Sequence, residues 1–217
     1  QGEITLKMLD VLGISYMIID KDTTEKEIKS RMIEFKSLLD LGKSVAFVVK
    51  KHAFYYNNKV YYKNDYKMLR EEIIRSIVDI SKGDIIISTT GKTSRELFEI
   101  REQKGQSHKY DFLTVGSMGH SSTIALAIAL NKPDKRVWCI DGDGAVLMHM
   151  GAMSLIGARR PDNYIHVIIN NEAHESVGGQ PTVASSVDFK HVALGCGYRA
   201  AYHITTYDEL NEVLQQI

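Results

Sequence analysis

Short apolar runs rich in branched side chains alternate with segments of helical period along most of this 217-residue chain, and no other feature constrains its fold as strongly. Strands are expected at 15–19, 44–49, 84–88, 136–140, 164–169 and 198–204. Helices are expected at 66–81, 93–104, 121–130, 145–158, 188–195 and from Tyr207 onward. A further helix follows Thr24, which with Glu27 forms a capping box, and it places Ile28, Met32, Phe35, Leu38 and Leu39 on one face. Strands joined by helices run parallel, because each crossover returns the chain to the same starting edge, and the helices then cover the sheet. The expected fold class is therefore α/β, a parallel sheet with helices on both faces.

Composition removes several function classes. Lys plus Arg and Asp plus Glu each number 27, so the net charge is zero and nothing draws the chain to nucleic acid or an anionic membrane. No apolar run reaches 18 residues, and the first residues do not read as a signal peptide. Cys139 and Cys196, in apolar or glycine-rich surroundings, read as buried free thiols in a reducing compartment, which points to the cytoplasm. The chain opens on Gln1 with a helical pattern already under way by Ile4, Leu6, Met8 and Leu9, which reads as a fragment or a processed chain. The tyrosine-rich stretch 52–66 reads as a packed linker with a turn at Asn57–Asn58.

In parallel α/β sheets, ligands bind outside the carboxyl ends of the strands. Unusual loops stand at those ends: Thr89-Thr90-Gly91-Lys92, Gly116-Ser117-Met118-Gly119, Asp141-Gly142-Asp143-Gly144 and Asn170-Asn171-Glu172-Ala173. Three familiar motifs fail here. A phosphate-binding P-loop ending at Gly91-Lys92-Thr93 needs a glycine where Ile86 stands. A dinucleotide fingerprint from Gly142 needs a glycine where Leu147 stands, and an EF-hand loop from Asp141 needs a glutamate where Ala152 stands. What survives is a pair: Gly142-Asp143-Gly144 ends one strand, and Asn170-Asn171 ends the next, 25 residues later. That interval accommodates one helix and its return strand. Asp143 and Asn171 offer hard oxygen ligands suited to Mg2+, while Gly144 and Ala145 open a helix whose free N–H groups favour a phosphate. Cation ligands and anion donors together describe a diphosphate–Mg2+ site.

The GDG–25–NN pattern resembles the cofactor motif of the thiamine diphosphate enzymes. TTGKTSRELFE, DFLTVGSMGHSS, IDGDGAVLMHMG and NNEAHESVGGQPT, within residues 89–182, resemble the phosphonopyruvate decarboxylases, and sulfopyruvate decarboxylases share part of the set, notably GGQPT. The resemblance implies that Asp143, Asn171 and the Ala173 carbonyl ligate Mg2+. It implies that Thr90, Gly91, Ser117, Met118, Gly119, Gly142, Gly144 and Ala145 contact the cofactor, with Met118 as the apolar wedge that bends it. The implied reaction is decarboxylation of 3-phosphonopyruvate to phosphonoacetaldehyde, which drains an unfavourable carbon–phosphorus bond-forming step in phosphonate biosynthesis. The alternatives are a sulfopyruvate or other 2-keto acid decarboxylase, or a non-catalytic thiamine diphosphate-binding subunit.

Substrate and proton-transfer residues are less determined. Lys92 and Thr93, after a strand end, could bind the phosphonate, or could simply cap a helix with solvated basic residues. His120 and His174, in loops at the active edge, could transfer protons, whereas His149 and His166 fall within elements and suit satisfied core roles. Glu175 has the default of a solvated acid, and Gly178, Gly179 and Pro181 read as shaping a lid.

One departure from the family pattern is large. The family's activating glutamate lies on a pyrimidine-binding domain, and Glu3, Glu25, Glu27 and Glu34 are wrongly placed for that role. Residues 1–60 accordingly resemble only the C-terminal remnant of such a domain plus a linker, and residues 61–217 the diphosphate- and Mg2+-binding domain. The missing part is expected from the same full-length protein or from a partner subunit, within a homo-oligomer.

Overall fold

The computed structural model describes residues 2–55 and 64–217, so the turn expected at Asn57–Asn58 lies outside the described residues. The chain divides into two compact units, Gln1–Lys59 and Val60–Ile217. No helix among the described residues is long and apolar enough to cross a membrane.

The first unit holds α1 (Thr5–Val11), β1 (Ser15–Ile19), α2 (Glu25–Asp40) and β2 (Val45–Val49). The two strands pair in parallel, and α2 makes the crossover. The expected capping box forms: Thr24 Oγ1 accepts from the Glu27 N–H, and the Glu27 carboxylate accepts from the Thr24 N–H at 2.7 Å. Phe35 on α2 packs against Phe47 on β2 with ring centroids 5.0 Å apart. Two strands and this helix bury little else, and Val11, Leu12, Ile33 and Leu41 are exposed.

The second unit contains α3 (Arg70–Ile80), β3 (Ile85–Ser88), α4 (Lys92–Gln103), β4 (Asp111–Leu113), α5 (Ser121–Asn131), β5 (Val137–Gly142), α6 (Asp143–Met148), α7 (Gly151–Arg159) and β6 (Tyr164–Ile169). The two-residue strands β7 (Ala173–His174) and β8 (Gln180–Pro181), then α8 (Phe189–Cys196) and α9 (Tyr207–Gln216), complete it. Its main sheet has the order β4-β3-β5-β6, and every pairing is parallel. Alternate residues of β3 and β5 feed opposite faces. Ile86, Trp138 and Ile140 pack with Ile74, Ile77 and Val78 of α3 and Leu97 and Ile100 of α4. Ile87, Val137 and Cys139 pack with Ala125 and Ala129 of α5. A third cluster joins Val146, Met153 and Ala193, which seats α8 against α6 and α7. The architecture is the expected α/β sheet flanked by helices.

The edge strand β4 and the short β7 and β8 are not among the strands the sequence pattern predicts, and three further elements differ from expectation. The segment read as one helix over 145–158 is two, broken where His149 takes φ −133° and ψ 42° and lays its ring 4.1 Å from His120. The segment 198–204 forms no ladder; Tyr198 and Ala201 instead pack into the third cluster, which satisfies their apolar side chains without strand pairing. The helix expected from Tyr66 begins only at Arg70, because the preceding residues reach across to other loops. The Asn64 amide donates to the Asn171 carbonyl at 3.0 Å, and the Tyr66 hydroxyl to Glu172 at 2.5 Å.

Candidate active site

The chain leaves β3 for β4 on one side, then crosses to β5 on the other. Such a reversal parts the two connections and opens a crevice at the carboxyl ends of the strands. Here the crevice is a solvent-open cleft. Thr89 and Thr90 line it from the end of β3, Gly142 from the end of β5, Asp143–Ala145 from the start of α6, and Asn171, Ala173 and His174 from beyond β6, with Met118 contributed by the loop before α5. Lys92 and Thr93 line it from the start of α4. The sequence-expected residues Thr90, Lys92, Thr93, Met118, Gly142, Asp143, Gly144, Ala145, Asn171, Ala173 and His174 are thus brought together.

Asp143 is the centre of this arrangement. It opens α6, is 1% exposed, and accepts a hydrogen bond from Thr182 Oγ1 at 2.5 Å. It forms no ion pair among the described residues, and a buried carboxylate served by one hydroxyl is costly unless a cation joins it. The Asn171 side-chain oxygen accepts from the Ala173 N–H at 3.2 Å and keeps a lone pair to spare. Thr89 Oγ1 is buried without a hydrogen-bond partner among the described residues. The helix starting at Asp143 has only six residues, so anion binding there depends on the unsatisfied N–H groups of its first turn more than on a long macrodipole. Carboxylate, amide oxygen, orphan hydroxyl and free N–H groups fit Mg2+ with a diphosphate.

Glycines keep the loops close. A Cβ at Gly144 would lie 2.7 Å from His174 Nδ1, and a Cβ at Gly119 would lie 2.7 Å from the Ala145 carbonyl oxygen. Gly119 also has φ +88°, and Ser117, two residues earlier, has φ +56°. Gly91, at φ +102°, leaves room for the Ser176 hydroxyl. Gly91, Ser117 and Gly119 shape the loops around the cleft and do not line it. His120 does not line it either; its Nδ1 stands 3.2 Å from the Ser117 carbonyl oxygen.

Two features escaped the sequence. The first is an ion-pair cluster at the cleft: Arg70 and Lys92, both lining it, meet Glu175, and Arg70 also meets Glu96. Burial works against the Glu175 charge, but hydrogen bonds from Lys92 and Arg70 outweigh it and hold the carboxyl below its usual range. Glu175 is therefore no free solvated acid. No local motif marks Arg70, which is 105 residues from Glu175.

The second is a buried network beneath the Gly142–Gly144 turn. Asp141 is fully buried; it accepts from Ser121 Oγ at 2.5 Å and stands 3.2 Å from His166 Nε2, whose other ring nitrogen meets the Tyr198 hydroxyl at 3.0 Å. His166 has the satisfied core role expected of it. Burial pushes the adjacent Cys139 thiol up, the Asp141 charge adds to the effect, and the thiol stays protonated. For Asp141 burial opposes the charge, yet the bonds from His166, Ser121 and Cys139 win and its pKa is lowered. A depressed carboxyl contributes stability above its unfolded pKa and loses it as pH falls through the folded value. Asp141→Asn should therefore flatten the loss of stability below about pH 4, measured by urea unfolding across an acid pH series. An unchanged acid limb would mean that Asp141 is not charged in the folded protein.

Comparison with known proteins accords with this geometry. Residues 89–217 match the family model described as the thiamine pyrophosphate enzyme C-terminal TPP-binding domain. The chain is 40% identical over 140 residues to a phosphonopyruvate decarboxylase of Streptomyces viridochromogenes, covering 64% of this chain and 34% of that protein. It is 42% identical over 130 residues to the sulfopyruvate decarboxylase subunit beta of Methanocaldococcus jannaschii, covering 59% of this chain and 66% of that subunit. The benzoylformate decarboxylase of Polynucleobacter necessarius shares the fold, with a TM-score of 0.57 at 15% identity over 71% of this chain and 32% of that one. The chain spans about a third of the length of the phosphonopyruvate decarboxylases it matches.

Proposed function

The chain belongs to the thiamine pyrophosphate enzyme family, and on that premise we propose that it is the diphosphate-binding part of a decarboxylase converting 3-phosphonopyruvate to phosphonoacetaldehyde and carbon dioxide. The observation that carries the reading is Asp143, a buried carboxylate without a cationic partner among the described residues, set in one cleft with Asn171 and the N–H groups at the start of α6. Asp143, Asn171 and the Ala173 carbonyl would hold Mg2+. Thr90, Gly142, Gly144 and Ala145 would receive the diphosphate, with Met118 against the cofactor ring and Gly91, Ser117 and Gly119 shaping the approach. Thiamine diphosphate supplies the electron sink for loss of carbon dioxide. Around it the chain binds and orients the keto acid. Lys92 and Thr93 face the phosphonate, and His174 Nδ1, beside Gly144, can hold or move a proton near the reacting carbons. His120, outside the cleft, would act only after a rearrangement of its loop.

The identity to the phosphonopyruvate enzymes supports the substrate, and the comparable identity to the sulfopyruvate subunit supports sulfopyruvate as the second reading. Residues 1–60 are read as the remnant of a pyrimidine-binding domain, and residues 61–217 as the diphosphate domain. The exposed Val11, Leu12, Ile33 and Leu41 support a missing remainder that would cover them. That remainder belongs to the same protein or to a partner subunit, within an oligomer whose sites form between chains. Two unpaired thiols support a cytoplasmic setting.

The test is aldehyde release by the complete protein with thiamine diphosphate and Mg2+, offering phosphonopyruvate, sulfopyruvate and pyruvate in parallel. A preference for phosphonopyruvate of at least about 100-fold, some 2.7 kcal/mol in transition-state binding, is expected. Turnover of sulfopyruvate instead would move the substrate and keep the site. No turnover despite bound cofactor would support the non-catalytic subunit.

A further inference from the structure

We propose that Arg70 and Lys92 form the docking point for the substrate's tetrahedral anionic tail, and that Glu175 occupies this point as an internal stand-in until the substrate displaces it. The proposal rests on the decarboxylase reading for the identity of the ligand. Its geometry stands on the cleft itself.

Arg70 opens α3, Lys92 opens α4, and Glu175 sits in a one-turn helix between β7 and β8. All three line the cleft that holds Asp143 and His174. Each oxygen of Glu175 takes one cation: Oε2 accepts from Arg70 Nη1 at 2.6 Å, and Oε1 accepts from Lys92. Two oxygens bridging two cations is also how a phosphonate or sulfonate would sit. Glu96 makes this possible. It holds Arg70 Nε at 2.7 Å and Nη2 at 2.6 Å, which fixes the guanidinium plane and leaves Nη1 for the cleft. Arg70 is the better-buried cation, with its side chain 18% exposed against 47% for Lys92.

The two carboxylates are not equivalent. Glu96 is carried on α4, a helix packed into the core through Leu97 and Ile100. Glu175 rides on a hairpin turn closed within itself by the Gly179 N–H bonding the His174 carbonyl at 3.0 Å, with Gly178 and Gly179 at positive φ. That turn can shift without breaking the main sheet. When Glu175 leaves, Arg70 and Lys92 face only Glu96, and the site gains one net positive charge. An ordinary exposed ion pair would contribute little and would have no reason to line the cleft.

The test uses the complete protein loaded with thiamine diphosphate and Mg2+, titrated calorimetrically with methylphosphonate and, separately, with methanesulfonate. Glu175→Gln should tighten the favoured probe about tenfold, and Arg70→Met or Lys92→Met should each weaken it about tenfold, the loss expected for one charge-assisted hydrogen bond. Cofactor affinity should stay unchanged in Arg70→Met and Lys92→Met, which a merely structural role would not predict for probe binding alone; in Glu175→Gln only the probe response is read, because Glu175 also accepts from the Asn171 amide at 3.4 Å. Tighter methylphosphonate assigns the tail to a phosphonate and tighter methanesulfonate to a sulfonate; either supports the docking point. If Arg70→Met fails to fold, the opposite responses of Lys92→Met and Glu175→Gln still decide. Bound cofactor with probe affinity insensitive to these substitutions overturns the docking point alone. Failure of the wild-type protein to bind the cofactor overturns the decarboxylase reading instead.

Discussion

Asp143→Asn is expected to abolish the Mg2+ dependence of thiamine diphosphate binding, lowering affinity at least about 100-fold, because even residues that merely support a metal ligand cost about 10–100-fold when replaced. The sign on the cofactor-free protein is the opposite of an ordinary core mutation. Asp143 is 1% exposed and takes one hydrogen bond, from Thr182. Asparagine keeps an oxygen for that hydroxyl and removes the buried charge. The cofactor-free variant should therefore unfold at the wild-type temperature or above it. Wild-type protein at a hundred times Kd gains about 2.7 kcal/mol from the bound cofactor, and the variant gains almost none. Calorimetric titration and thermal unfolding with and without cofactor and Mg2+ check both halves. Unchanged Mg2+-dependent binding would remove Asp143 from the metal site.

Trp138→Ala should cost about 3–5 kcal/mol, a large part of the 5–15 kcal/mol by which a domain is normally stable. Trp138, the second residue of β5, is wholly buried and touches the cluster built by α3, α4 and the strands. Its indole N–H also donates to Asp84 at 2.9 Å. The cavity left by alanine lies between helices that cannot close on it, since both are held by other core residues. Trp138→Phe keeps most of the volume and loses the hydrogen bond, which should cost about 0.5–1.5 kcal/mol. Urea unfolding of the two variants separates packing from polar satisfaction. A cost below about 1 kcal/mol for alanine would contradict the placement of β5 at the centre of the core.

Much of the site was legible because its residues follow strand ends at intervals set by the fold. Asp143 and Asn171 could be paired because the stretch between them is one helical layer and one return strand, and β5 and β6 are indeed neighbours. Gly119 and Gly144 were visible as glycines, although what they avoid, the Ala145 carbonyl and the His174 ring, was not. His166 could be suspected of a core role from its place in a strand. Its partner Asp141, by contrast, looked like part of the ligand loop, and only its burial against Ser121 and His166 shows otherwise.

Local pattern determined strands β1, β2, β3, β5 and β6, the capping box at Thr24 and the position of the loops, because each depends on side chains within a few residues of one another. Tertiary structure decided where one helix becomes two at His149, why 198–204 needs no ladder, and that Arg70 and Glu175 meet across 105 residues. Those outcomes depend on which surfaces the sheet order brings together. Period and spacing constrain a segment's own conformation, whereas the charge facing it across a cleft comes from a part of the chain that no local pattern names.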